Sequence, residues 1–289
     1  MRALGTRRSA SSYDDGVGSA GPTRPLPARR TRPARGTRPA RGTRPARGTR
    51  PARRRRFRIA KILLAIVVIF AVAVGLLFLL TPSAGQATAL AQAQAQEHHI
   101  AYPGPPVPPY FAQALVATED HRFYTDPGVD PLALVRVMNS WITGRRDQGG
   151  STIDQQLAKN LYTSGRSGFA QIIEQVAMAI KLNQTYSRAE ILRLYAEIAY
   201  YGHGYYGLNA ASCGYFGRLP DQLTLVQAAM LAGVVNAPTY DDPLVYPRQA
   251  RTRLVHVIGR MAAVGDLMQA QETAALNAPL GLSAVRGCP

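Results

Sequence analysis

The chain has 289 residues, 46% of them hydrophobic, and a formal net charge of +17. Residues 1–61 hold 19 of the 34 Lys+Arg and 2 of the 17 Asp+Glu, so residues 62–289 carry 15 of each and no net charge. Nucleic-acid binding is thereby excluded as a general property of the folded part, and roughly 170 residues after the last proline run suffice for one domain with its own core.

The first segment, 1–58, is an Arg/Pro/Gly-rich tail. Thr31-Arg32-Pro33-Ala34-Arg35-Gly36 recurs from Thr37 and Thr43, and in altered form from Thr49. Such a sequence cannot bury enough apolar surface to offset chain entropy, so disorder is predicted. Residues 59–80 follow as a transmembrane helix, with Ile62 to Leu80 free of charge and Arg53–Arg56, Arg58 and Lys61 before them. About 20 apolar residues span a bilayer, and the flanking cations predict a cytoplasmic N-terminus with the rest outside. The rival reading is a cleaved signal peptide, for which the leader is atypically long. Residues 81–109, Ala/Gln repeats and then prolines, read as a linker.

From 110 to 282 the periodicity is helical, no persuasive strand alternation occurs, and the fold class is all-α. Tyr110–Thr118 predicts a short amphipathic helix with Glu119 at its end. Ser151 or Thr152 caps the next one. Phe169, Ile172, Ile173, Val176, Ala177 and Ile180 form an apolar stripe, with Glu174 beside it. Ser187 with Glu190 and Thr224 with Gln227 are capping boxes, Gly202 is the predicted stop of the helix begun at Ser187, and Pro247 opens a helix closed by Gly265. Residues 283–289 are a short tail. Cys213 and Cys288 read as one buried and one exposed thiol, with a disulfide between them as the other reading.

Two runs carry chemistry. A carboxylate leaving an apolar helix, as Glu119 does, can serve as a general base, although an exposed Glu-Asp pair is the commoner meaning of Glu119-Asp120. Gly149-Gly150-Ser151-Thr152 opens a helix whose free N–H groups attract anions, phosphates above all, and an ordinary capped helix is the plainer alternative. Gln155 and Gln156 add amide donors, and Lys159 stands two turns along.

With Glu119-Asp120-His121-Arg122-Phe123, Gly149–Asn160, Glu174, Tyr201–Gly207 and Tyr215-Phe216-Gly217 in this order, the sequence resembles the peptidoglycan glycosyltransferases, family 51. The resemblance runs from about Phe111 to Leu282. It implies a lysozyme-like fold that polymerises lipid II with inversion and release of undecaprenyl pyrophosphate. Glu119 and Glu174 would be catalytic, the first deprotonating the acceptor hydroxyl, the second supporting the diphosphate directly or through a divalent cation (Mg or Mn). Asp120, Phe123, Gly150, Ser151, Thr152, Gln155, Gln156, Lys159, Asn160 and Arg166 would bind substrate. Implied partners are lipid II, the growing glycan strand, the cytoplasmic membrane, transpeptidases, and divisome or elongation proteins. In the family, Leu132–Ile142 would dip toward the bilayer, with Trp141 as an interfacial anchor; plain core is the other reading.

The sequence departs from the family where Asp126 replaces a usual His, Ala170 and Gln171 an Arg-Lys pair, and Glu197 an Asn. Arg166 is the residue placed to compensate for the lost cations. These changes leave open a weak or inactive lipid II-binding scaffold, and paired carboxylates also suit a lysozyme-like hydrolase. No Ser-x-x-Lys occurs, so an acyl-transfer domain is not expected.

Overall fold

The computed structural model describes residues 51–130, 143, 151–164, 166 and 168–283, with backbone alone for 51–54. The repeat tail, Leu132–Ile142 with Trp141, Gly149, Gly150 and Cys288 lie outside the described residues.

Three helix starts are set by the boxes expected from sequence. Thr152 with Gln155 opens α4 (Ile153–Tyr162), Ser187 with Glu190 opens α6 (Arg188–Ile198), and Thr224 with Gln227 opens α8 (Leu225–Val234). In each, the hydroxyl accepts the third backbone N–H and the longer side chain accepts from the cap's own N–H, satisfying two orphan donors. The remaining helices are α1 (Pro51–Leu80), α2 (Ala87–Glu97), α3 (Pro109–Glu119), α5 (Phe169–Thr185), α7 (Leu208–Phe216), α9 (Pro247–Ala263) and α10 (Gln269–Asn277). Among the described residues there is no strand, only an isolated bridge between Tyr200 and Tyr206. The fold is all-α.

α3 packs on α8 and α9, and α4 on α5 and α6. α8 is buried from Val226 to Val234, so it forms the axis of the domain, with Phe111, Leu115, Leu254, Val257 and Ile258 fully buried around it. Burying side chains of this size contributes about 1.5–3 kcal/mol each. α1 is the opposite case. Its apolar side chains stay exposed, Ile69 and Phe70 at 69% and Leu80 at 80%, and it is long and apolar enough to cross a membrane.

Four details differ from the sequence reading. The expected linker is largely structured: Ala84, Ala87, Ala91 and Ala95 are buried, and α2 packs on α6 and α4. Ala at intervals of four makes one narrow stripe, and the intervening glutamines hide it as low complexity. The helix begun at Arg188 ends at Ile198, four residues before Gly202. Gly202 belongs to the following turn, where its φ is +81° and a Cβ would lie 2.4 Å from the Pro238 carbonyl oxygen. Of the stripe on α5 only Ala177 is buried and Phe169 is 64% exposed, while Met178, Ala179 and Leu182 carry the rest of the buried contact. Cys213 is disulfide-bonded and not a thiol, an outcome its small neighbours do not signal; the sequence has one other cysteine, Cys288.

Candidate active site

Glu119 stands at the C-terminal end of α3 because Phe111, Ala114, Leu115 and Ala117 anchor that helix in the core. Its side chain is only 6% exposed. Three other elements converge on it. Gln156 of α4 donates its amide to Oε2 (3.0 Å), Asn236 after α8 donates to both oxygens (3.2 and 3.3 Å), and Arg253 of α9 donates Nη2 to Oε1 (2.7 Å). Tyr195 of α6 donates its hydroxyl to Gln156 Oε1 (2.8 Å), which fixes the amide's orientation. Burial and the Glu119 charge push the Tyr195 phenol pKa up, so it remains a donor.

Arg253 is held from behind by a close helix crossing. Its Nε donates to the Gly233 carbonyl (3.1 Å), and a Cβ at Gly233 would sit 3.0 Å from Arg253 Cγ and 3.1 Å from Val257 Cγ2. Arg253, Asn236 and Tyr195 are site residues that the sequence reading missed. The available signal was weak: Arg253 directly precedes Leu254 in the α9 stripe.

The start of α4 is built differently from the expectation. Thr152 is 2% exposed, accepts Gln155 N–H at Oγ1 and donates to the Gly128 carbonyl (2.7 Å). Gln155 Oε1 accepts the Thr152 N–H (2.9 Å). Asp120 is turned into the fold, where Oδ2 accepts the Ile153 N–H (3.3 Å), so it ties α3 to α4. Burial, then the charge of Asp126, pushes the Asp120 carboxyl up to about 7. Phe123 is fully buried, with the Arg188 guanidinium 4.8 Å from its ring centre. Thr152 and Phe123 are thus engaged inside the scaffold, Asp120 through Oδ2, and Gln155 through its oxygen alone, which leaves the Gln155 amide N–H groups as donors. Asp154, in the first turn, is also fully buried. Burial pushes it up to about 6, against the pull of Arg188 (3.2 Å).

The rest of the expected set is more open. Ser151 is exposed, and Lys159, Asn160 and Glu174 are half-buried. Among the described residues neither Lys159 nor Glu174 makes a salt bridge. Asn160 accepts Gln94 at its carbonyl (2.9 Å). Arg166 is exposed and folds back onto the Thr163 carbonyl through Nε (3.2 Å). At the departures, Asp126 has both carboxylate oxygens buried without a hydrogen-bond partner among the described residues, and burial raises its pKa. Glu197 accepts the Gly104 N–H (2.8 Å) and is likewise raised by burial.

A buried carboxylate held by three donors from separate elements, beside a helix that carries the Lys159 cation, has the form that a proton acceptor next to an anion would need. The family model described as Transglycosylase matches residues 86–262. The chain belongs to the transglycosylase family. This transglycosylase is 37% identical over 176 residues to a protein of Cupriavidus necator named as a candidate transglycosylase, covering 61% of this chain and 76% of that one. It is 40% identical over 177 residues to penicillin-binding protein 1A of Escherichia coli, covering 60% of this chain and 21% of that protein. A crystal structure of penicillin-binding protein 1A from Haemophilus influenzae aligns over 46% of this transglycosylase and 17% of that chain, with 28% identity and a TM-score of 0.33.

Proposed function

We propose that this transglycosylase is a peptidoglycan glycosyltransferase that polymerises lipid II outside the cytoplasmic membrane, anchored by α1. The observation that carries the reading is the cage around Glu119. A general base must be reachable and fixed, and donors from three other elements hold this one within 3.3 Å.

In the proposed step the acceptor sugar's 4-hydroxyl oxygen bonds to the donor's anomeric carbon. The bond from that carbon to the diphosphate oxygen breaks, its electron pair leaves with the prenyl diphosphate, and Glu119 takes the hydroxyl proton. Attack opposite the leaving group inverts the anomeric centre. Asn236 makes the longest bonds to Glu119, so it is the donor an incoming hydroxyl displaces most readily. Gln156 and Arg253 stay and hold the carboxylate in place.

On the leaving side, Ser151, Lys159 and the amide N–H groups of Gln155 are the α4-region groups left for the diphosphate, since the Thr152 hydroxyl is used within the fold. Glu174 sits on α5, which packs against α4. Among the described residues no three His, Cys, Asp or Glu come together as ligands, so a resident metal cage is not built there. A single carboxylate does fit Mg²⁺ shared with substrate phosphates, the usual protein contribution to such a site. Glu174 would hold that ion, which would neutralise charge on the departing diphosphate.

The decisive experiment is polymerisation of labelled lipid II by the full chain in detergent with Mg²⁺ or Mn²⁺. Glycan strands are expected, with transpeptidases of the divisome or elongation machinery supplying cross-links. A second reading has a specific observation behind it: Ala170 and Gln171 carry no cation, and Arg166 commits its Nε to the Thr163 carbonyl. Lipid II binding without any polymer under either metal would make the chain a scaffold, and release of soluble fragments from intact wall would make it a hydrolase.

A further inference from the structure

Where α1 ends, a cavity of about 500 Å³ opens between its last turn and the C-terminal half of α5. Its walls are divided. Phe78 and Leu79 of α1 form an apolar side, while Ser83, Lys181, Gln184 and Thr185 form a polar one. No acidic residue lines it, and among the described residues no carboxylate pairs with Lys181. The exposed apolar surface of α1 stops at Leu80, so the cavity begins where bilayer hydrocarbon would give way to headgroups.

We propose that this cavity binds the headgroup of an anionic phospholipid in the leaflet where α1 ends, with the phosphate facing Lys181 and an acyl chain along Phe78 and Leu79. The inference rests on α1 spanning the bilayer. The Lys181 ammonium already donates to Thr81 O (2.9 Å), Thr81 Oγ1 (2.7 Å) and Pro82 O (3.0 Å), which uses its three N–H groups. Its contribution to a phosphate is therefore charge. Hydrogen bonds come from the Gln184 amide and from Ser83, whose oxygen accepts Gly85 N–H (3.3 Å) and whose own hydrogen is still available. A zwitterionic headgroup brings an ammonium of its own, for which the cavity offers no carboxylate. That asymmetry selects a lipid of net negative charge.

The test uses the full chain in neutral detergent, with phosphatidylglycerol and phosphatidylcholine in equal amounts and retained lipid counted by native mass spectrometry. Wild type should keep one phosphatidylglycerol with a preference of roughly fivefold, the worth of one cation near a membrane surface. Lys181→Gln should abolish the preference and Lys181→Arg should keep it. If Lys181→Gln only lowers the melting temperature of lipid-free protein and leaves the preference intact, the lysine merely caps α1 and the proposal is wrong. Displacement of phosphatidylglycerol by farnesyl diphosphate would assign the cavity to the reaction's own prenyl diphosphate and likewise overturn it. Alkaline carbonate extraction of membranes separates the other failure: a released chain refutes the span itself, whereas a retained chain without lipid preference refutes the site alone.

Discussion

The two carboxylates given catalytic roles sit in opposite kinds of surroundings. Glu119 is caged by Gln156, Asn236 and Arg253, whereas Glu174 is half-buried on α5 with no salt bridge among the described residues. Under the proposed function, the difference teaches what each half of the reaction would demand of the fold. Proton acceptance needs a fixed atom, so it is preorganised by elements far apart in sequence. Diphosphate departure can be completed by ligands that arrive with the substrate, so its carboxylate is left open.

The contrast can be broken at several depths. Glu119→Gln keeps the shape and removes the base, and should lower kcat for lipid II polymerisation by about 10²–10⁴. A rate within a factor of two of wild type would end the assignment. Glu174→Gln should cost less, about 10–10² in rate, with a higher Mg²⁺ concentration for half-maximal activity; an unchanged metal profile would remove Glu174 from the leaving side. Arg253→Met breaks a mostly buried ion pair and should destabilise the fold by about 2–3 kcal/mol in denaturant titration, besides slowing turnover. Tyr195→Phe deletes one hydrogen bond to Gln156 and should cost about 1 kcal/mol, seen as a roughly fivefold drop in kcat with KM little altered.

Asp120 gives the mildest effect and the one with a pH signature. Its carboxyl binds a proton more tightly in the fold, at about 7, than at its ordinary 3.8. The stability this group contributes is complete below about pH 4 and is lost as pH rises through 7. Asp120→Asn can still accept the Ile153 N–H. It should flatten the melting-temperature profile between pH 4 and 8 and raise the melting temperature at pH 8. A profile as steep as wild type would locate the titration elsewhere, Asp154 being the next candidate at about 6.

How much of this was legible depended on the range of the interaction. Caps are local, so Thr152, Ser187 and Thr224 announced their helices. The box also decides what is left for a ligand: the Thr152 hydroxyl both accepts and donates within the fold, while Gln155 commits its oxygen and keeps its amide N–H groups. The cage was illegible for a simple reason: Asn236 and Arg253 lie 117 and 134 residues from Glu119, and no periodicity encodes such pairings. Asp120 and Phe123 follow the family pattern, but the pattern does not say which of its residues face inward. The alanine stripe of α2 was hidden because alanine buries too little area to stand out beside glutamine.

That stripe alters the mechanics of the anchor. Tyr162 and Tyr186 both donate their hydroxyls to the Ala84 carbonyl (3.2 Å each), so the folded body begins at Ala84, and only residues 81–83 separate it from the last apolar residue of α1. Three residues reach about 10 Å at full extension. The domain is therefore mounted on its span and not leashed to it. If α1 spans a bilayer, so short a connection would fix the domain's height above it, and under the proposed function a growing chain would have to leave sideways or upward.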